Sequence, residues 1–394
     1  MNKKTVKDID VFDKKVLVRV DFNVPIVDGA ISDDTRIREA LGTINYLIEK
    51  GAKVILVSHL GRPDGKVAKK YSLKPVYNRL KELMPNVKIY FSKDVVGDDA
   101  KKKAKELKMG QVLLLENVRF EAGEEENDKA FAKKLANLAD VYVLDAFGTA
   151  HRKHASTYGV AKLLPSAIGF LVEKELTMIC DNMASPKRPF VGILGGAKVK
   201  DKLGIVDGLL DKVDTLIIGG GMAYTFLFAQ GSKIGKSLFD KEKVAECKKV
   251  LKKAKEKNVE ILLPVDNIIS TDIKNTKNAK LIKDNNIPDD YMGVDIGPKT
   301  IKLYVKAIKR AKTVIWNGPM GVFETKEFAV GTYKVAKAVS KVKGVTIIGG
   351  GDSASAIVNM KLNKKVTHIS TGGGASLQLF EGKTLPAVDI IENI

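Results

Sequence analysis

The chain has 394 residues, 44% hydrophobic and 29% charged, a balance that excludes wholesale disorder and a length that predicts two domains rather than one core. Two distant cysteines, Cys180 and Cys247, and four histidines without an HExxH pattern argue against a disulfide framework and against a zinc enzyme. The formal charge of +20 raises a nucleic-acid reading, but only nine of the 67 basic residues are arginines; with no RNP-like, zinc-finger or aromatic-basic stretch, a solvated lysine surface and no specific nucleic-acid partner are expected.

No signal-like apolar run follows the first lysines, and no stretch of about 18 apolar residues occurs, so a cytoplasmic chain free of membranes is expected. Short apolar, β-branched runs alternate with helix-like segments, the pattern of parallel sheets covered on both faces. The first series is VLVRVDF from Val16, KVILVSH from Lys53, VKIYF from Val87, VLLLEN from Val112 and VYVLDAF from Val141. Ile37, Leu41, Ile44 and Ile48 share one face of a helix between the first two. From Ser166 to Met183, Ile168, Val172, Leu176 and Ile179 recur at helical spacing before the breaker run SPKRP, which predicts a connecting helix and a domain boundary. The second series is FVGILGG from Phe190, TLIIGGG from Thr215, EILLPVD from Glu260, TVIWNGP from Thr313, VTIIGGG from Val345 and HISTGGG from His368, with Val199, Leu203, Val206 and Leu210 on one helical face. The expected fold class is α/β, with two doubly wound parallel-sheet domains facing each other across a hinged cleft.

Polar and glycine-rich punctuation falls where these runs end, and ligands bind at the carboxyl ends of strands in open α/β sheets. In the first half, Asp21 and Asn23 follow a strand, Arg36 opens a helix, His59 and Arg62 follow the second strand, and Arg119 and Arg152 follow later ones. Four arginines so placed suit a small, multiply charged anion; pairing with local acids such as Glu116 or Asp145 is the alternative for any one of them. His59 and His151 read as hydrogen-bond donors rather than as general bases.

In the second half, Gly195 and Gly196 admit a ligand close to the backbone, and Lys198 and Lys202 are expected on one helical face. Like charges at that spacing cost a few tenths of a kcal/mol without an anion, although a solvated lysine helix explains them too. GSKIGKS from Gly231 lacks the spacing of a phosphate-binding P-loop. GGGDSA from Gly349 satisfies GxGxxA and keeps a dinucleotide reading open, but Asp352 at a helix start fits a nucleoside triphosphate with bridging Mg²⁺ better. Gly372 to Gly374 precede another helix start, whose free N–H groups form an anion site.

VDFNVP, SHLGRP, ENVRF, DAFGTAHR, LGGAKVKDK, WNGPMGVFE, GGGDS and STGGGASL stand in an order and spacing that resemble the phosphoglycerate kinases over essentially the whole chain. The resemblance implies reversible Mg²⁺-dependent phosphoryl transfer between ATP and the carboxylate of 3-phosphoglycerate, giving ADP and 1,3-bisphosphoglycerate, by a monomer that closes about a hinge. It implies a first domain of residues 1–165 and 381–394, with 3-phosphoglycerate on Asp21, Phe22, Asn23, Arg36, His59, Leu60, Gly61, Arg62, Arg119 and Arg152. Beyond a linker at 166–186, it implies a nucleotide domain at 187–380. There Lys202 meets phosphates, Gly219, Gly220, Gly293 and Val294 surround the adenine, and Glu324 takes the ribose. Gly195, Ala197, Asn317, Pro319, Gly350, Gly351 and Ser353 lie along the nucleotide, and Asp352 holds Mg²⁺. Arg36, Lys198, Gly373 and Gly374 are implied to stabilise the transferring phosphoryl group. Gly42, Tyr224 and Gln378 depart from the commonest pattern and receive no chemical role. Two rival classes remain: a nicotinamide dehydrogenase, resting on GGGDSA, and a nucleic-acid binder, resting on charge.

Overall fold

A computed structural model describes residues 2–274 and 276–394 and divides the chain into two compact units, Met1–Thr177 with Thr384–Ile394, and Met178–Lys383. In the first, β1 (Lys15–Val20) is buried from Val16 onward, as a strand covered on both faces must be. The small hairpin β2 (Ile26–Val27) and β3 (Ala30–Ile31) follows, then α1 (Thr35–Glu49), β4 (Lys53–Val57), α2 (Lys74–Leu83), β5 (Ile89–Phe91), α3 (Asp98–Glu106), β6 (Val112–Leu114), α4 (Lys129–Ala136), β7 (Val141–Asp145) and β8 (Ser166–Ile168). The sheet runs β5-β6-β4-β1-β7-β8 and is parallel throughout, with Val18 opposite Leu56 on one side and Val143 on the other. α1 buries Ile37, Ala40, Thr43, Ile44 and Leu47, packing Ile37 and Ile44 into one core with Val16, Val18 and Val54.

The expected connecting helix starts later than its periodicity suggests. Ser166, Ala167 and Ile168 pair with Tyr142, Val143 and Leu144 of β7 and are buried, so this stretch completes the sheet instead. α5 (Phe170–Leu176) begins after Gly169 because buried Asp145 accepts the N–H groups of Leu171 (2.9 Å) and Val172 (3.4 Å), capping the helix at that point.

The second unit contains α6 (Asn182–Ala184), β9 (Phe190–Leu194), α7 (Leu203–Leu209), β10 (Thr215–Ile218), α8 (Met222–Ala229), α9 (Val244–Glu256) and β11 (Glu260–Leu262). Next come β12 (Asn267–Ser270), β13 (Lys280–Ile282) and β14 (Met292–Ile296), then α10 (Pro298–Arg310), β15 (Thr313–Asn317), α11 (Val330–Val339), β16 (Val345–Gly349), α12 (Gly351–Asn359), β17 (His368–Ile369) and α13 (Gly374–Phe380). Its parallel sheet runs β11-β10-β9-β15-β16-β17, beside an antiparallel sheet β13-β12-β14. All eleven apolar runs of the sequence form strands. The antiparallel sheet went unforeseen because its strands have three to five residues and β13 is largely exposed, leaving no apolar run to detect. The last helix, α14 (Pro386–Asp389), belongs to the first unit: Ala387 N–H donates to Ala150 O at 3.1 Å, and Lys3 bridges to Asn393.

The single tryptophan, Trp316, is fully buried in β15 and donates Nε1–H to Gly318 O at 2.8 Å. Tyr304 of α10 shares this core and donates its hydroxyl to Ile218 O, the end of β10, at 2.7 Å. Tyr304→Phe removes one buried hydrogen bond while keeping the ring, so the unfolding free energy should fall by about 1–2 kcal/mol. Urea titration followed by Trp316 fluorescence should show a lower midpoint at unchanged slope; an unchanged midpoint would show that the bond contributes nothing net.

Candidate functional site

In the first unit, the predicted substrate residues gather at the carboxyl ends of β1, β4, β6 and β7. Asp21 is buried. It accepts from Arg36 Nη1 through Oδ2 (2.6 Å) and from Asn23 N–H through Oδ1 (3.2 Å). Burial works against its charge, but the cationic groups beside it, Arg36 and Arg19 among them, outweigh burial and hold its carboxyl below the usual range. Gly61 has φ +63, and a Cβ there would lie 2.4 Å from the Tyr71 ring, so glycine alone fits this turn. The turn is clamped from three sides: Gly61 N–H donates to Asn23 Oδ1 (2.9 Å), Arg119 Nη1 donates to Gly61 O (2.8 Å), and Asn117 Nδ2 donates to Leu60 O (2.7 Å). Asn117 was not named as a site residue, although it lies within the quoted ENVRF motif.

Arg119 is 4% exposed and pairs with Glu125 at 2.9 Å, while its Nε is buried without a hydrogen-bond partner. Arg152, half-buried, donates through Nε to His151 Nε2 at 3.1 Å; burial and this guanidinium keep the His151 imidazole below its ordinary pKa. Arg62 is exposed. Glu116 and Asp145, offered by the alternative reading as arginine partners, are engaged elsewhere: Glu116 accepts from Ser72 Oγ, Leu73 N–H and Asn117 N–H, and Asp145 caps α5. Phe22 and Leu60 bury their side chains in the core, so a ligand meets only their backbone.

The second unit has two adjoining cavities that share Gly196, Ala197, Pro319 and Asp352. One is a slot of about 210 Å³ whose walls include Gly220, Tyr224, Leu238, Gly293, Val294, Met320, Val322 and Glu324. The other is a lobe of about 350 Å³ lined by Lys198, Asp201, Lys202, Asn317, Gly318, Gly350 and Gly351. Asp352 enters from the first turn of α12, whose cap Gly350 has φ +84.

Lys198 and Lys202 do not share a helical face. α7 begins only at Leu203, with Lys202 as its cap. The reason is a latch: Lys202 Nζ folds back onto Gly195 O (2.6 Å), Asn317 Oδ1 (2.6 Å) and Asn317 O (3.1 Å), which holds the preceding loop out of the helix. Burial pushes the Lys202 ammonium down to about 8, against the pull of Asp352 and Asp201. Lys198 remains exposed.

Gly195, Gly219 and Ser353 stand behind the walls rather than in them. A Cβ on Gly195 would lie 2.0 Å from Pro319 O; Gly219 is buried against Met320; fully buried Ser353 donates to Gly349 O and accepts from Gly318 N–H. Gly373 and Gly374 are exposed at the start of α13 and line neither cavity. Tyr224, given no chemical role from the sequence, forms a slot wall: its hydroxyl lies 3.3 Å from Asn267 Oδ1 and occupies the space a Cβ at Gly293 would need. Leu238 was missed because no local pattern marks it. The false P-loop also finds a purpose: buried Ser237 accepts Gly293 N–H at 2.9 Å and so fixes the slot wall. Among the described residues no group of three or more His, Cys, Asp or Glu could hold a metal ion, and no helix is long and apolar enough to cross a membrane.

A family model described as phosphoglycerate kinase matches residues 6–383. The chain is 52% identical over 393 residues to the phosphoglycerate kinase of Finegoldia magna, covering 100% of both chains, and 55% identical over 390 residues to that of Clostridium botulinum, covering 98% of each. Among solved structures it resembles phosphoglycerate kinase from Coxiella burnetii, with a TM-score of 0.89 at 40% identity over 98% of each chain, and from Pyrococcus horikoshii, with 0.80 at 35% over the same shares. A match of this length and identity, on a chain whose two sheets each end in an anion-directed edge, leaves one assignment: the chain belongs to the phosphoglycerate kinase family.

Proposed function

We infer that this kinase binds 3-phosphoglycerate on its first unit and MgATP on its second, acting as a monomer, and that Asp352 supplies the protein's carboxylate to Mg²⁺. The observation that carries the reading is the buried, unpartnered Nε of Arg119 among Arg36, Arg152 and His59. A buried guanidinium N–H without an acceptor costs free energy, and a phosphate or carboxylate oxygen removes that cost. In the second unit, an apolar slot opening into a lobe with two lysines suits a base followed by phosphates. The lobe's oxygen donors suit a magnesium ion that arrives on the nucleotide and takes few protein ligands. The GGGDSA run that kept a dinucleotide reading open carries Asp352 into this lobe, where an acid belongs with a cation.

In the forward direction, a carboxylate oxygen of 3-phosphoglycerate attacks the γ-phosphorus, the bond to the β–γ bridging oxygen breaks, and ADP departs with that electron pair. No enzyme nucleophile is required; positioning and charge neutralisation remain. Asp21 pins one nitrogen of Arg36, which stays about one-third exposed at 36% and leaves the rest of its fork for the transferring group. Lys198, exposed in its loop, and the N–H groups of Gly373 and Gly374 supply further positive potential. Asp352 would hold a Mg²⁺ ion that arrives with the nucleotide, and the ion would supply positive charge to offset what develops on the phosphates. With one ligand on each unit, both halves of the chain are needed for turnover.

A coupled assay of ADP formation from ATP, 3-phosphoglycerate and Mg²⁺ tests the reading directly, and no turnover by folded protein would overturn it. Arg36→Ala should lower kcat at least about 100-fold with an unchanged circular dichroism spectrum; activity within about threefold of the parent would reduce Arg36 to a structural partner of Asp21. Asp352→Asn should raise the Mg²⁺ needed for half-maximal rate by about tenfold, and an unshifted titration would remove the metal role.

Lys202 yields a pH dependence. Phosphates favour its charged form, and the ligand-free protein gives up that proton near pH 8. Nucleotide affinity should therefore be full below about pH 8 and fall above it, by up to about tenfold per pH unit. Lys202→Arg, which stays protonated, should bind more weakly but without this slope. Calorimetric titration with MgADP from about pH 7 to 9 reads both; a flat profile in the parent would remove Lys202 from phosphate binding.

A further inference from the structure

We propose that Arg19, buried in β1, is a positioning residue that fixes the tautomer of His59, so that the imidazole offers Nε2–H to the anionic substrate. This role presupposes that His59 contacts 3-phosphoglycerate, as inferred above.

Arg19 is 1% exposed in the middle of a parallel sheet, where a guanidinium persists only with partners. Its Nε donates to Ser156 Oγ at 2.7 Å, Nη1 donates to Val20 O, and Nη2 lies 3.3 Å from His59 Nδ1. Ser156 passes the connection on, donating its hydroxyl to one oxygen of Glu124 (2.6 Å) and its N–H to the other (2.9 Å). Glu124 is fully buried, so one serine links the buried guanidinium of Arg19 to a buried carboxyl group.

The consequence for His59 follows from donor inventory. Arginine has five N–H donors, no acceptor, and does not lose its proton in proteins. A ring nitrogen facing it must therefore carry the lone pair. Asp21 Oδ1 stands 3.9 Å from Nδ1, beyond hydrogen-bond reach, and offers that nitrogen no competing bond. A neutral imidazole with a bare Nδ1 holds its proton on Nε2, so any hydrogen bond that His59 gives to a substrate comes from there. The charged groups facing the ring are Asp21, Arg19, Arg119 and Arg36; burial, the largest influence, and the three arginines together outweigh Asp21 and keep His59 well below its ordinary pKa. An arriving anion would favour a second proton, and Arg19 opposes it with an N–H where that proton would go. His59 should then add no pH dependence to substrate affinity, beyond that of the substrate's own phosphate, through the range in which free histidine titrates.

The test is long-range ¹H–¹⁵N NMR of the full-length protein labelled at its four histidines, with His59 assigned by Glu or Gln substitution at that position, for example His59→Gln. The expected result in substrate-free protein is a bare Nδ1 and a protonated Nε2 from about pH 6 to 8, and a shifted Nε2 resonance on adding 3-phosphoglycerate. A protonated Nδ1, or an imidazolium in that range, would overturn the proposal. The expected tautomer with no response to 3-phosphoglycerate would instead overturn the substrate contact and leave the action of Arg19 on the ring standing. In the variant Arg19→Met with Glu124→Gln, which removes both buried side chains' charge-bearing groups together, KM for 3-phosphoglycerate should rise about tenfold and gain a pH dependence that the parent's profile lacks, with kcat within about threefold. Arg19→Lys, which can still donate to Nδ1, should recover the parent's pH profile. A KM and pH profile unaltered in the double variant would overturn the proposal, and if that variant does not fold, the tautomer in the parent protein decides alone.

Discussion

A parallel strand flanked on both sides and covered on both faces has no room for an unsatisfied polar group except at its ends. β1 obeys this constraint between β4 and β7, and β15 obeys it between β9 and β16. Each sheet interior is therefore apolar apart from fully partnered groups such as Arg19, and the chemistry collects where strands stop: Asp21 one residue beyond β1, His59 two beyond β4, Asn317 closing β15, and Gly350 just past β16. In the loops at these points Gly61, Gly318 and Gly350 adopt positive φ, and a Cβ on them would lie 2.4, 2.3 and 2.8 Å from a neighbouring atom. Asn23, Asn117 and Arg119 hold the turn around Gly61 much as Ser237 and Ser353 hold the walls around Gly293 and Gly318.

The two edges solve anion binding differently. In the first unit the cations are arginines, permanently charged and planar, several of them fixed by carboxylates that leave part of each fork unused. Asp21, Glu124 and Glu125 orient Arg36, Arg19 and Arg119 rather than neutralise the site, because the cations outnumber them. In the second unit the cations lining the cavity are lysines in a loop, and one of them is latched onto carbonyl oxygens. A latched ammonium stabilises the loop without a ligand; in the function proposed above it would exchange those acceptors for phosphate oxygens. Burial has depressed its pKa, so that exchange also returns stabilisation to the charged form.

The +20 charge, which by itself suggested nucleic acid, plays little part in either edge. Most of it sits on exposed lysines, including those along α9, where it produces a general positive field favourable to anionic substrates rather than a shaped surface.

Much of this was legible in the order of residues. Eleven apolar, β-branched runs announced eleven strands because a buried parallel strand needs nothing more than continuous apolar side chains, and the motifs at their ends named Arg36, Arg119, Lys202 and Asp352 because those positions abut strand ends whatever the tertiary detail. What only the tertiary structure decided are contacts between residues far apart in the chain. Ile168 fits a helical stripe yet lies in a strand, since pairing with β7 outweighs a weak local preference. Lys198 and Lys202 fit a helix yet lie in a loop, since Lys202 bonds Asn317, 115 residues away. Tyr224 and Leu238 reached the slot, and Ser237 its wall, through packing that no local period records. Arg19 reads in sequence as a stray charge inside a strand; its partner Ser156 lies 137 residues on, and only the fold brings that serine, Glu124 and His59 around it, because a buried charge is tolerated solely where distant segments converge to satisfy it.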